Sequence, residues 1–181
     1  MLFTAFAMYH SRHPASCLKL LCTGSPDARM ETLREAARRM GMEKWIVLPG
    51  YLSEEEFSAL LSSCRALIFP SLYEGFGMPV LEAMSFGKPV LCSNVTSLPE
   101  VAAGAALYFD PRNPEAIQTA IARIINEPEL TARLVESGNQ RVVSFGKPRQ
   151  MALEYLDVFR SVLENRQLRG RGRRRRRGHR P

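Results

Sequence analysis

The chain has 181 residues, with 25 basic and 18 acidic side chains and a formal net charge of +7. Nine Arg and no Asp or Glu fall within residues 166–181, so residues 1–165 carry 16 basic against 18 acidic groups and form a slightly acidic body behind a basic tail. An apolar fraction of 45% excludes a fibrous or wholly disordered chain, and no apolar run approaches the ~20 residues that span a bilayer.

A body of this length can bury a core of its own as one domain. The opening M-L-F-T-A-F-A-M has no basic start, so a secretory signal is not expected. Cys17, Cys22, Cys64 and Cys92 form no C-x-x-C pair, and scattered cysteines point to a reducing, cytoplasmic setting. His10, His13 and Cys17 lie close together, but Pro14 interrupts them and no fourth ligand is evident, so no metal site is expected.

Leu2–His13 reads as the back half of a helix with no strand ahead of it. Short apolar runs then alternate with helical patterns. Leu18–Thr23, Trp45–Leu48, Ala66–Phe69, Pro89–Cys92 and Ala106–Phe109 read as buried parallel strands. Between them, Ala28–Met40 is rich in Arg, Glu and Ala and stops at Gly41. Ser53–Cys64 opens on S-E-E-E, in which Ser53 and Glu56 can satisfy each other's backbone donors. Pro79–Phe86 ends before Gly87, and Pro114–Asn126 begins with Pro at the first helical position. Further helices are expected near Pro128–Ser137 and Pro148–Asn165, the latter with an apolar stripe of Met151, Tyr155, Phe159 and Leu163. Strand–helix–strand alternation predicts an α/β fold, a Rossmann-like parallel sheet with helices on both faces. That domain is expected to span residues 1–165.

In open parallel sheets, ligands bind at the carboxyl ends of the strands. The richest junction follows Phe69: P-S-L-Y-E-G-F-G-M-P-V-L-E-A-M, Pro70 to Met84. Gly75 and Gly77 permit a tight turn and close backbone approach to a ligand. The helix starting near Met78 and Pro79 aims its unpaired N–H groups at that ligand, which suits a phosphate or a sugar hydroxyl. The third glycine and downstream acid of a dinucleotide fingerprint are missing, which excludes NAD. Two carboxylates remain, Glu74 and Glu82. Glu82 is flanked by Val80, Leu81, Ala83 and Met84, and a carboxylate in apolar surroundings needs partners. Ribose hydroxyls would serve, and so would the amides of a neighbouring loop; the residue pattern alone leaves both open.

The run Glu74–Glu82, E-G-F-G-M-P-V-L-E, resembles the signature of the retaining, nucleotide-sugar-dependent glycosyltransferases of GT-B architecture, a family with many bacterial mannosyl- and glucosyltransferases. V-L-P-G-Y-L-S before it and G-K-P-V and S-L-P-E-V-A after it are similar too, and the resemblance covers roughly Leu2 to Leu163. It implies the carboxyl-terminal, donor-binding half of a GT-B fold. Glu74 would contact the donor-sugar hydroxyls and act at the catalytic centre. Gly75, Phe76 and Gly77, leading into Met78 and Pro79, would line the sugar and diphosphate. Glu82 would bind the ribose, and Pro49, Gly50 and Tyr51 would lie near the base. The donor would be a UDP-, GDP- or ADP-sugar, with no cofactor and no metal, and the acceptor a glycan or a lipid-linked molecule. The family's acceptor-binding amino-terminal domain, and the Arg–Lys pair that holds the diphosphate, have no counterpart here and would come from a missing domain or partner chain.

Residues 166–181 have too little apolar content to fold by burial and are expected to be a disordered tail. Such a tail can attract polyanions or an anionic membrane non-specifically, which would place the protein at the inner membrane surface.

Overall fold

The computed structural model describes residues 1–24, 27–145 and 152–163. It divides into two units, Met1–Val142 and Val143–Pro181.

Helices and strands alternate as far as α6, and α7 follows it directly: α1 (Leu2–Arg12), β1 (Leu20–Thr23), α2 (Ala28–Arg39), β2 (Ile46–Gly50), α3 (Glu54–Ser63), β3 (Leu67–Phe69), α4 (Met78–Ser85), β4 (Val90–Ser93), α5 (Leu98–Ala102), β5 (Leu107–Phe109), α6 (Pro114–Asn126) and α7 (Pro128–Ser144). Local chemistry sets most boundaries. Asp27 caps α2 by accepting from the N–H groups of Arg29 and Met30 at 2.9 and 3.3 Å. Gly41 ends the following turn at φ +65°. Ser53 and Glu56 form the expected reciprocal box, with bonds of 2.8 and 3.2 Å. Asn113 caps α6 ahead of Pro114.

The strands pair in parallel, β1 with β2 and β3–β4–β5 in a row. Side chains of β4 show how the sheet is covered. Leu91 joins a core with Ala5, Phe6 and Tyr9 of α1, Ala37 of α2 and Ile117 of α6. Its neighbours Val90 and Cys92 join a second core with Leu61 of α3, Val80 and Met84 of α4, and Leu98 of α5. Adjacent residues of a strand point to opposite faces, so both faces are buried, and an apolar run rather than an alternating one is the consequence.

Several elements differ in detail from the sequence reading. The strands do not make one continuous ladder: among the described residues β1 and β3 have no pairing between them. Within Leu2–His13, α1 ends at Arg12; it is packed on α6 and tied to it by a bond from Arg12 to Gln118. Helix α5 carries no periodicity long enough to register in the sequence and appears only in the structure. Helix α7 runs seven residues beyond Ser137, to Ser144. His10 and His13 are committed to the fold. His10 bonds the Leu18 carbonyl at 3.0 Å and stacks on Trp45, while His13 bonds the Tyr9 carbonyl. No group of potential metal ligands occurs among the described residues.

The second unit contains a helix over residues 152–163, and every described residue of it is exposed, including Tyr155, Phe159 and Leu163. Met151 of the expected stripe and the whole 166–181 tail lie outside the described residues.

Candidate functional site

The carboxyl end of β3 opens directly into the carboxylate–glycine loop. Phe69 is fixed by its pairing with Cys92, and the buried Ser93 hydroxyl donates to the Phe69 carbonyl at 3.4 Å. Pro70 cannot continue the ladder. Ser71 then turns its hydroxyl onto the Glu74 carboxylate, at 2.8 Å from Oε1. Glu74 is half-buried, and this bond orients one of its oxygens.

Behind the loop stands the segment after β4. Thr96 sits in the left-handed region at φ 55°, and its hydroxyl accepts from the Glu74 N–H at 3.2 Å. The Ser97 hydroxyl reaches the Glu74 carbonyl at 3.1 Å and the Phe76 carbonyl at 3.0 Å, sharing its one proton between them. Three bonds therefore brace the backbone of Glu74–Phe76 from below. Sequence reasoning missed Ser71, Thr96 and Ser97. The signal available was misleading: S-L-P-E, Ser97 to Glu100, has the spacing of a helix cap, but Ser97 makes no side-chain bond to α5.

Gly77 caps α4 at φ +99°, a conformation that side-chain-bearing residues rarely adopt. A Cβ there would come within 2.5 Å of Leu98 Cδ2, and Leu98 is fully buried. Gly75 has neither constraint. The glycine at 77 is thus required by the fold of the loop, whereas that at 75 leaves open space above the backbone. Phe76, Met78 and Tyr73 are exposed around this opening, at 42, 54 and 79%. The Val80 N–H turns back to the Gly77 carbonyl at 3.0 Å, and Pro79 contributes no N–H.

Glu82 lies one turn into α4 and is half-buried. Its surroundings differ from the apolar setting that the sequence suggested. Val80, Ala83 and Met84 face the core, but Met78, Ser85 and Phe86, its neighbours one turn away, are exposed. Helical periodicity separates residues that are adjacent in sequence onto different faces. The Glu82 carboxylate has no hydrogen-bond or ion-pair partner among the described residues, so it does not cap a neighbouring loop.

Pro49, Gly50 and Tyr51 sit elsewhere than in a free loop. Pro49 and Gly50 are the last residues of β2, Gly50 pairing with Thr23 and accepting from the Gly24 N–H at 3.0 Å, and only the 72%-exposed Tyr51 lies beyond the strand. This segment ends a strand of the other part-sheet, and no hydrogen bond joins it to Glu74–Glu82 among the described residues.

A parallel sheet buried on both faces, with a glycine-turned loop feeding a helix at the carboxyl end of a strand, is the architecture of nucleotide-binding half-domains. Residues 3–141 match the family described as Glycosyl transferases group 1, and the chain belongs to that family. It is 42% identical over 108 residues to the O-antigen chain mannosyltransferase B of Escherichia coli, an alignment covering 60% of this chain and 28% of that protein. It is 29% identical over 149 residues to an MMP alpha-(1->4)-mannosyltransferase of Mycolicibacterium hassiacum, covering 81% and 36%. The chain thus spans about a third of the length of these relatives. Its fold is that of an Anabaena HepE structure in complex with UDP and glucose, with a TM-score of 0.70 at 21% identity over 86% of this chain and 43% of the other. Its fold is thus the α/β fold found in GT-B glycosyltransferases.

Proposed function

We propose that this chain is the donor-binding half of a glycosyltransferase that moves a hexosyl group, with retention of configuration, from a nucleotide sugar to a glycan or lipid-linked acceptor. The observation that carries the reading is the Glu82 carboxylate: half-buried, on the first turns of a helix behind a glycine-capped loop, and without a protein partner. A carboxylate so placed accepts from two vicinal hydroxyls of one ribose. Glu74, oriented by Ser71, faces the sugar in this reading, and the braced Glu74–Gly77 backbone lies along the diphosphate. Catalysis by such a site is positioning of the donor and stabilisation of the departing diphosphate. Acceptor binding falls to polypeptide outside the described residues.

The test is calorimetry of UDP, GDP and ADP against the chain and against Glu82→Ala. The best-binding nucleotide should lose about 1.5–3 kcal/mol of affinity, the scale of a hydrogen bond to a charged group. Unchanged affinity in a folded Glu82→Ala protein would remove Glu82 from the site.

A further inference from the structure

Thr96 holds a backbone conformation that its own side chain opposes. Its φ is 55°, and a β-branched residue in the left-handed region is a steric outlier. Among the described residues the one other non-glycine at positive φ is Ala103. Ala103 closes α5, where a left-handed residue is a common helix end. Thr96 closes no helix. Strain of this kind survives only where the surroundings impose it, and it collects where a ligand must be held.

The surroundings are the neighbouring loop. β3 and β4 run parallel with Phe69 opposite Cys92, so the chains leaving their carboxyl ends emerge side by side. The turn at Thr96 brings its hydroxyl to the Glu74 N–H, 3.2 Å away and 22 residues earlier in the chain. The proton of that hydroxyl goes to the Val95 carbonyl at 2.8 Å, which leaves the oxygen to accept from Glu74. The other polar group of the same peptide unit, the Tyr73 carbonyl, accepts from the Ser71 hydroxyl at 3.1 Å. The Ser71 hydroxyl also lies 2.8 Å from Oε1 of Glu74.

A trans peptide unit is planar, with its N–H and C=O on opposite sides. Ser71 and Thr96 therefore grip the Tyr73–Glu74 plane at both edges and stop it from turning. That plane sets the direction in which the Glu74 side chain leaves the backbone, and Ser71 also fixes its far end. Ser97, the next residue, does something different. Its hydroxyl reaches the carbonyls of Glu74 and Phe76, the stretch that lies along the diphosphate in the donor-site reading.

We propose that Thr96 is a positioning residue for the donor sugar. Its strained turn aims a hydroxyl that locks the Tyr73–Glu74 peptide and so directs the Glu74 carboxylate at the hexosyl hydroxyls. Thr96 touches no ligand itself, and the hold on the nucleotide does not depend on it. Two adjacent hydroxyls thus serve two parts of one ligand, Thr96 the sugar and Ser97 the diphosphate. This role rests on the reading of Glu74 as the sugar-facing carboxylate.

The experiment is calorimetry on the full chain with UDP-glucose and UDP, GDP-mannose and GDP, and ADP-glucose and ADP, continued with the pair that binds best. Thr96→Gly removes the hydroxyl and relaxes the backbone. It should weaken the nucleotide sugar roughly three- to tenfold, the scale of one net hydrogen bond, and the free nucleotide less than about twofold. Its Tm should hold or rise, because glycine adopts this φ freely and the relief offsets its greater chain entropy. A merely structural Thr96 would instead lower Tm and weaken both ligands alike. Thr96→Ser keeps the hydroxyl and should restore the affinity for the nucleotide sugar. If Thr96→Gly does not fold, Thr96→Ala carries the same comparison.

Glu74→Ala separates the two levels. It should also cost the nucleotide sugar more than the nucleotide, and Thr96→Gly added to it should cost nothing further. If Glu74→Ala is selective for the sugar and Thr96→Gly is not, the role of Thr96 is refuted while the reading of Glu74 stands. If Glu74→Ala is not selective, or if none of the three pairs binds, the reading of Glu74 fails and the role of Thr96 with it.

Discussion

The two glycines of the carboxylate loop should respond in opposite ways to the same substitution. Gly77→Ala places a Cβ 2.5 Å from Leu98 Cδ2 while holding φ at +99°. The left-handed backbone costs roughly 1–2 kcal/mol, and overpacking against the fully buried Leu98 about 1–3 kcal/mol more, together about 2–5 kcal/mol. For a domain of this size that lowers Tm by about 5–15 °C. Gly75→Ala meets nothing within 4 Å and needs no left-handed φ, so its Tm should stay within about 1–2 °C, the effect of a neutral surface change. Scanning calorimetry on both variants decides the matter. A double variant, Gly77→Ala with Leu98→Ala, adds the contact test: the clash is removed, so its destabilisation should fall short of the sum of the two single effects by more than about 0.5 kcal/mol. A stable Gly77→Ala protein, or strict additivity in the double variant, would refute the steric account of the loop.

Ser97→Ala removes both bonds to the Glu74 and Phe76 carbonyls; we expect about 1–2 kcal/mol weaker nucleotide binding with little change in Tm, and calorimetry with Ser97→Thr should show partial rescue. Burial pushes the Cys22 thiol up to about 11 and the Cys92 thiol up to about 12, and raises that of Cys64. Because the unfolded chain loses these protons first, the stability they carry is complete below pH about 9 and falls as pH rises from about 9 towards 12; urea titrations at pH 8 and 10.5 should show the loss, and Cys92→Ala should reduce it. At pH 8 the exposed Cys17 should react with a thiol reagent well before Cys22 or Cys92. Deleting residues 166–181, with their nine Arg and no acidic residue, should abolish retention on heparin while leaving nucleotide affinity within about 0.5 kcal/mol, the range of a surface change; a large loss would place these Arg residues at the diphosphate.

What the sequence determined by itself was local. Ser53 with Glu56, Asp27, Asn113 with Pro114, and Gly41 end or begin helices through bonds spanning three or four residues, and such bonds are written in neighbouring letters. The apolar runs around Leu91 and Ile46 marked buried strands because parallel strands covered on both faces have no polar side to show. The spacing of Glu74 and Glu82 also placed both on one strand-to-helix junction, between β3 and the first turns of α4. Tertiary structure decided the rest. Whether Pro49 and Gly50 end a strand or form a loop depends on Thr23 and Gly24, which pair with them from another element. Ser97 reads as a helix cap, yet its hydroxyl serves carbonyls more than twenty residues away. Glu82 has apolar letters on both sides, but the helix turns Val80, Ala83 and Met84 to the core and leaves Glu82 half-buried. The lack of pairing between β1 and β3 among the described residues is not written in either strand's own letters, because an unpaired edge is defined by the strand that is not beside it, and only the three ladders that do form show where it lies.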